Sequence, residues 1–206
     1  MSLLILLRKS ASVNRFHNLL INSIDSGEGD SALLCSGFFQ EMNNYSASLD
    51  SGLCSSLFNN NVSLTTIGVH NRMWLNRYRS FRDILISNGN TVNALITNNF
   101  HWHAKIFILK KQGEPIFGII GSSNMTRNAF GHTAPFNFEA DVVLWDSSNN
   151  AINNICQSQT EISGGDFDDI IYADYNVERN RGKNSMEKLK DLENEIMSKT
   201  QLDELQ

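Results

Sequence analysis

The sequence contains little proline and little cysteine. There are 2 prolines and 3 cysteines in 206 residues, while 41% of the residues are hydrophobic. This composition is typical of a folded globular protein and excludes a proline-rich disordered one. The cysteines are far apart and form no Cys-x-x-Cys pair: Cys35, Cys54 and Cys156. We therefore expect no disulfide framework, and a reduced, cytoplasmic protein that buries these thiols.

A long apolar run is also missing. The opening apolar segment, Leu3–Leu7, is too short to cross a bilayer, and the basic residues Arg8 and Lys9 follow it rather than precede it. A transmembrane helix needs about 20 apolar residues, and a signal peptide carries its positive charge in front. We expect neither a signal peptide nor a membrane partner.

Positive charge is absent from one long segment and concentrated in the next. No lysine or arginine occurs from Phe16 to Asn71, whereas the segment from Arg72 to Arg127 holds eight basic residues and two acidic ones. The whole chain has a net charge of −5, which conceals this local excess. A concentrated positive field favours a polyanionic partner such as nucleic acid.

Short apolar runs alternate with segments of helical spacing, which predicts an α/β fold. We expect strands at residues 3–7, 32–39, 62–69, 91–96, 102–110, 115–120 and 138–145. We expect helices at residues 12–24, 48–57, 72–87 and 149–159. The pattern thus predicts a mixed sheet of about six or seven strands, with helices on both faces, over residues 1–183. A final helix over residues 184–206 either packs on this core or serves as a linker or dimerisation element.

Polar side chains interrupt the apolar run from Phe100 to Leu109. If this run is a regular strand, His103 and Lys105 point to the same face, and His101 shares that face. An imidazole beside a fixed ammonium suits phosphate chemistry. An isolated His-x-Lys is more often an ordinary strand end, so the interpretation depends on the residues that follow.

Those later residues make the pattern specific. After His103-x-Lys105 come Gly121-Ser122-Ser123-Asn124 and then Asn137-Phe138-Glu139. This order resembles the phospholipase D superfamily, most closely its nucleases with a single His-x-Lys motif and the catalytic domains of related restriction endonucleases. The family pattern has an aspartate where this chain has Lys110. That departure argues against lipid cleavage more than against phosphodiester cleavage in general.

The resemblance implies a phospholipase D-like domain and a role for each of these side chains. His103 attacks phosphorus and forms a phosphohistidine, while Glu139 holds the other ring nitrogen of the imidazole. Lys105, Asn124 and Ser122 bind the phosphate oxygens through charge or hydrogen-bond donors. Such a mechanism uses neither a metal nor a cofactor.

Neighbouring polar residues are predicted to have ordinary roles. We expect Ser123 and Thr126 to be turn and cap residues. Asp141 and Asp146 are interpreted as solvated residues at strand ends, because the chain shows no dense carboxylate cluster of the two-metal type.

A histidine nucleophile needs a second histidine as general acid, and the chain has one His-x-Lys motif. His17, His70 and His132 lie in no comparable pattern. In the single-motif nucleases that this chain resembles, two copies pair about a two-fold axis and share one site. The resemblance therefore implies a homodimer in which His103 faces its symmetry copy.

The substrate is less clearly specified than the chemistry. The predicted helix from Arg72 to Ser87 interleaves arginines with Trp74, Tyr78 and Phe81, a pattern that suits a DNA backbone with some stacking. The same pattern also fits an amphipathic helix with a solvated basic face and aromatic residues in the core. DNA cleavage is the preferred function; the alternatives are phospholipid cleavage or transfer, and non-catalytic nucleic-acid binding.

Overall fold

A nine-stranded mixed sheet forms the centre of the molecule. The computed structural model describes residues 2–42, 44–69, 72–97, 103–159, 169–199 and 202–205. The strands in these ranges are β1 (Ser2–Arg8), β2 (Ser31–Cys35), β3 (Glu41–Met42), β4 (Tyr45–Ser46), β5 (Ser63–Val69), β6 (Val92–Thr97), β7 (Lys105–Lys111), β8 (Glu114–Gly121), β9 (Glu139–Trp145), β10 (Ile170–Asp174) and β11 (Leu202–Glu204). The helices are α1 (Arg15–Asp25), α2 (Leu53–Asn59), α3 (Arg72–Ser87), α4 (Arg127–Phe130), α5 (Asn150–Ser158) and α6 (Ser185–Lys199). The large sheet has the order β10-β1-β9-β8-β7-β2-β5-β6-β11, and β3 pairs separately with β4.

The central strands are buried on both faces. In β2, Ala32 and Leu34 belong to one apolar core, while Leu33 and Cys35 belong to the other. Helices α1, α2, α3 and α5 contribute to the first core, and α6 contributes to the second. This arrangement confirms the predicted α/β class with helices on both faces of a mixed sheet. Within the described ranges, no helix is long and apolar enough to cross a membrane.

Several predicted boundaries are wrong. The sheet exceeds the predicted six or seven strands because β10, in a segment of mixed charge, and the three-residue β11 carry weak patterns. The strand β2 ends at Cys35 rather than Phe39, and α2 begins at Leu53 rather than Ser48. The strand predicted from residue 102 begins at Lys105. Residues 98–102, which include His101, lie outside the described residues.

The C-terminal helix α6 packs on the sheet, which is one of the two predicted alternatives. Leu189 is fully buried, and a Cβ atom placed on Gly118 of β8 would lie 2.6 Å from the Leu189 side chain. Glycine at this position therefore permits the close approach of helix and strand. The helix ends at Lys199 instead of continuing, and β11 then adds to the edge of the sheet beside β6.

Candidate active site

The residues of the predicted motifs lie together at one edge of the sheet, by which we mean the side on which the ends of its central strands lie. At this edge β7 begins with Lys105, β8 ends with Gly121 and β9 begins with Glu139. The strand register pairs Lys105 with Gly121, and Gly121 with Asp141. The loop that follows Gly121 therefore leaves the sheet between the strand of Lys105 and the strand of Glu139.

Lys105 is half-buried at the start of β7. Burial lowers the pKa of its ammonium group, while the nearby carboxyl groups of Glu139 and Asp141 act in the opposite direction. The cation therefore lies within electrostatic reach of both acids. An ammonium held at this point is suited to binding phosphate oxygens.

Glu139 is buried, with 6% of its surface exposed, and both of its carboxyl oxygens are hydrogen-bonded. Ser122 Oγ donates to Oε2, and Asn137 Nδ2 donates to Oε1 at 3.0 Å. Ser122 Oγ also accepts a hydrogen bond from the backbone amide of Ala140 at 3.0 Å. The structure thus places the Ser122 hydroxyl so that it orients Glu139. Its role as a phosphate ligand stays a prediction.

Asp141 corrects one interpretation of the sequence, because it is buried rather than solvated. Only 2% of its surface is exposed, and Ser123 donates to it from both its backbone amide and its hydroxyl. Burial raises the pKa of this carboxyl group. The carboxylate also lies directly against β8, since a Cβ atom on Gly121 would stand 1.9 Å from Asp141 Oδ1. Ser123 therefore anchors the loop to β9, and its role as a turn residue stays a prediction.

Asn124 is held from the neighbouring strand β2. Ser36 Oγ, just after that strand, lies 3.3 Å from Asn124 Oδ1 and 2.9 Å from the carbonyl oxygen of Phe38, and its single proton serves these two acceptors. The same oxygen accepts from the backbone amide of Met125 at 3.2 Å. Since the carboxamide oxygen is engaged, the amide nitrogen is the free donor of this side chain within the described part of the chain. Ser36 carries no sequence signal, because it lies 88 residues from Asn124.

His103 lies two residues before the start of β7 at Lys105 and is exposed. Strand alternation therefore does not determine its direction, contrary to the expectation from the sequence. Among the contacts between described residues, no hydrogen bond joins His103 to Glu139. The chain connection to Lys105 still places this imidazole at the same edge of the sheet. Its partnership with Glu139 stays a prediction.

Arg8 is a site neighbour that sequence reasoning missed. It is the residue opposite Glu139 in the pairing of β1 with β9. Its guanidinium donates to the carbonyl oxygens of Asn128, Ala129 and Gly131 at 2.7 to 2.9 Å. These bonds tie the segment after the Asn124 loop to the sheet edge. The only signal in the sequence is a cation at the end of an apolar run.

Two other histidines form a pair of their own. His132 Nε2 lies 3.0 Å from His17 Nδ1, and His17 Nε2 lies 2.9 Å from the carbonyl oxygen of Ser51. Burial, followed by the effect of His17, lowers the pKa of His132. His70 lies outside the described residues. Across the described ranges, no group of three or more His, Cys, Asp or Glu side chains is arranged to hold a metal ion.

The basic helix α3 agrees with the core-packing alternative at two of its three aromatic residues, whereas the third, Trp74, is only half-buried. Tyr78 and Phe81 are buried in the core, at 2% and 0% exposure. Arg77 donates to the carbonyl oxygen of Glu41 at 2.8 Å, and Arg82 is ion-paired with Asp83. These arginines therefore have partners within the fold.

Residues 28–164 match the model of one protein family, the NgoFVII restriction endonuclease N-terminal PLD domain. The match covers more than half of the chain. The chain belongs to this family. The resemblance to phospholipase D proteins is thereby confirmed, and the matched region of the PLD domain contains every predicted site residue from His103 to Glu139.

Three solved structures are also similar to this PLD domain. NucT from Helicobacter pylori is 12% identical over 76% of this chain and 90% of that chain, with a TM-score of 0.41. Phosphatidylserine synthase from Haemophilus influenzae Rd KW20 is 10% identical over 93% of this chain and 43% of that chain, with a TM-score of 0.47. Polyphosphate kinase from Porphyromonas gingivalis is 10% identical over 79% of this chain and 26% of that chain, with a TM-score of 0.48. No curated protein matches the chain significantly.

Proposed function

We propose that this protein is a metal-independent phosphodiesterase that cleaves DNA as a homodimer, in the manner of the catalytic domain of a restriction endonuclease. The observation that carries the proposal is the convergence of Lys105, the Asn124 loop and Glu139 at one sheet edge in a member of this family. These groups supply a cation, an amide donor and a carboxylate, and His103 adjoins them. Phosphoryl transfer depends on such positioning and charge stabilisation.

The reaction proceeds in two displacements. In the first, a ring nitrogen of His103 forms a bond to phosphorus while the bond to the leaving oxygen breaks, and that oxygen takes a proton from the partner's His103. Lys105 and Asn124 stabilise the negative charge on the remaining phosphate oxygens. In the second, water attacks phosphorus, gives its proton to the partner's His103 and releases the histidine.

The homodimer is part of this proposal because one chain supplies one His-x-Lys motif. The exposure of His103 supports the proposal, since an exposed imidazole is accessible to a second chain. A two-fold interface places a residue opposite its own copy, which provides both a nucleophile and a general acid from the same position.

The decisive experiment is cleavage of plasmid DNA in EDTA, combined with trapping of the covalent intermediate on a labelled oligonucleotide. We expect wild-type protein to nick the plasmid without divalent metal and to carry the label on His103. His103→Ala and Lys105→Ala are expected to be inactive, whereas His132→Ala, outside this group of residues, is expected to retain activity. A strict requirement for divalent metal, or label on another residue, would contradict the scheme.

The same variants separate DNA cleavage from the alternatives. Release of a headgroup from labelled phospholipid vesicles, with plasmid left intact, would identify a phospholipase or transferase. DNA binding that His103→Ala leaves unchanged, without any cleavage by wild-type protein, would identify a non-catalytic binding protein.

A further inference from the structure

A groove with a volume of about 530 Å³ opens beside Asn124. Its walls come from the segment after β2, from α3 and from the segment around α4, and it contains no residue with a catalytic role in the proposed mechanism other than Asn124. This volume lies within the range of about 300 to 1,000 Å³ that is usual for small-molecule sites. Because Asn124 itself lines the groove, the groove adjoins the position at which Asn124 would hold a phosphate.

One wall of the groove is aromatic. The rings of Phe38 and Trp74 lie 4.9 Å apart between their centroids at an angle of 55°, and both residues are only half-buried. The core behind them is filled by other rings, since Phe39 is 1% exposed and stacks on Tyr78 at 4.5 Å. Phe38 and Trp74 thus provide aromatic surface that the core does not use.

The remaining lining is rich in carboxamides. Asn44 and Asn128 both line the groove, and in the described part of the chain their side chains have no hydrogen-bond partner. Asn137 also lines it and donates to Glu139. A carboxamide offers a donor and an acceptor side by side, which matches the donor and acceptor pattern on the edge of a nucleobase.

The groove is also lined by a cationic residue, Arg127. Arg127 donates from Nε to Thr133 Oγ1 at 3.1 Å, and its guanidinium forms no ion pair with a carboxylate of the described residues. Guanidinium groups bind phosphate oxygens in a bidentate manner. Arg127 is therefore placed to hold a phosphate next to whatever occupies the groove.

We propose that this groove binds one unpaired nucleobase of the substrate, immediately next to the phosphodiester that is cut. The base lies against Phe38 and Trp74, the carboxamides contact its edge, and Arg127 binds the flanking phosphate. The inference rests on the proposed function, because Asn124 marks the position of the scissile phosphate. Ring stacking of this kind requires a base outside the double helix, so the substrate is single-stranded or has a base flipped out of the duplex.

The test is a double-mutant cycle in which one change removes a protein side chain and the other removes a base of the oligonucleotide. The dissociation constant of each combination is measured by fluorescence anisotropy. His103→Ala protein is titrated into labelled single-stranded oligonucleotides, with and without Trp74→Ala, and with an abasic nucleotide moved one position at a time. We expect Trp74→Ala to weaken binding about 10-fold, as loss of one stacked base does. An abasic nucleotide at one position should weaken binding similarly, and the two changes together should add little.

Controls separate this inference from general damage to the fold. Phe58→Ala removes an exposed aromatic residue from α2, outside the groove, and should leave the dissociation constant unchanged. Asn44→Ala, at an exposed position, should reduce discrimination among the four bases without loss of structure. A duplex with a mismatch at the coupled position should bind more tightly than a fully paired one, because the mismatched base is easier to extrude.

Two results would overturn the inference: unchanged binding in Trp74→Ala, or additive losses at every abasic position. If the proposed function is wrong but the groove still binds a base, the experiments give a different combination of results. In that case wild-type protein leaves DNA uncut in EDTA, while the double-mutant cycle, measured on intact oligonucleotide, still shows whether a base occupies the groove.

Discussion

Asp141 accepts two hydrogen bonds from Ser123, one from the backbone amide at 3.2 Å and one from the hydroxyl at 2.6 Å. The carboxyl group is buried, and burial raises its pKa above the ordinary value of 3.8. The loop that presents Asn124 is therefore anchored by an acid that is costly to ionise in the folded protein.

This anchor predicts a pH dependence of stability. Because the folded-state pKa of Asp141 is raised, the folded protein binds this proton more tightly than the unfolded chain does. The contribution of Asp141 to the free energy of unfolding therefore decreases as pH rises from about 3.8 through the raised pKa. In urea denaturation across this range, the free energy of unfolding of wild-type protein should fall relative to that of Asp141→Asn as pH rises. Asp174→Asn, at an exposed position on β10, is the control and should follow wild type. Identical pH profiles for wild type and Asp141→Asn would contradict this account.

Substitution by alanine at two glycines of β8 should have different effects on stability and activity. In Gly121→Ala the new Cβ would lie 1.9 Å from Asp141 Oδ1 and 2.6 Å from the carbonyl oxygen of Ala140, so the backbone must move. We expect a loss of about 2 kcal/mol in the free energy of unfolding, as overpacking gives, together with loss of catalysis. In Gly118→Ala the three nearest atoms belong to the Leu189 side chain rather than to backbone, so it should lose less stability than Gly121→Ala and retain activity. Equal activity losses in the two variants would argue against a local effect on the loop.

The ion pair between Lys110 on β7 and Glu193 on α6 should contribute to the stability of the folded protein. These side chains are 15% and 11% exposed, and their charged atoms lie 2.5 Å apart. In Lys110→Met, Glu193 stays buried, and the remaining cation that pairs with it among the described residues is Lys190, at 4.0 Å. We expect a loss of about 3 kcal/mol in the free energy of unfolding.

The double variant Lys110→Met, Glu193→Met removes both charges and should be more stable than either single variant. Denaturant titration of all four proteins gives the coupling. Additive losses would show that the two charges do not interact in solution.

Mixed dimers test whether two chains share one active site. If both copies of His103 are required, mixtures of wild-type and His103→Ala chains lose activity as the square of the wild-type fraction. If each chain is complete, activity falls linearly with that fraction. Steady-state cleavage of an oligonucleotide after exchange of subunits distinguishes the two curves. Mixtures of wild type with Phe58→Ala should show full activity throughout.

Local patterns in the sequence predict much of this fold but fewer of its contacts. The strands β7 and β8 and the loop from Gly121 to Asn124 follow from short apolar runs and a turn-forming sequence, because these signals lie in adjacent residues. The burial of Asp141 could not be predicted from these local patterns, because an acidic residue near a strand end is usually exposed to solvent. The strand start at Lys105 is missed because the apolar pattern continues into the residues before it.

Contacts between distant segments that no family motif marks could not be predicted. Lys110 occupies the position of a family aspartate, and its partner Glu193 lies 83 residues further along the chain. The groove beside Asn124 likewise combines Phe38, Trp74 and Arg127 from separate segments. Pairing of this kind depends on the topology of the sheet, which periodicity in one sequence does not encode.

The position of β9 also has a consequence for the order of folding. The first strand of the chain, β1, has only β9 and β10 as neighbours, and β9 lies between β1 and β8. The N-terminal strand therefore has no strand partner until residue 139 and its successors have been synthesised, and pairings over such separations form slowly. The pairing of β9 with both β8 and β1 joins the first strand to the rest of the sheet, and it also brings Glu139 to the end of the sheet where Lys105 lies. During synthesis, the part of the sheet that carries Lys105 and Glu139 therefore forms only after β9 has emerged, when the first strand is also paired.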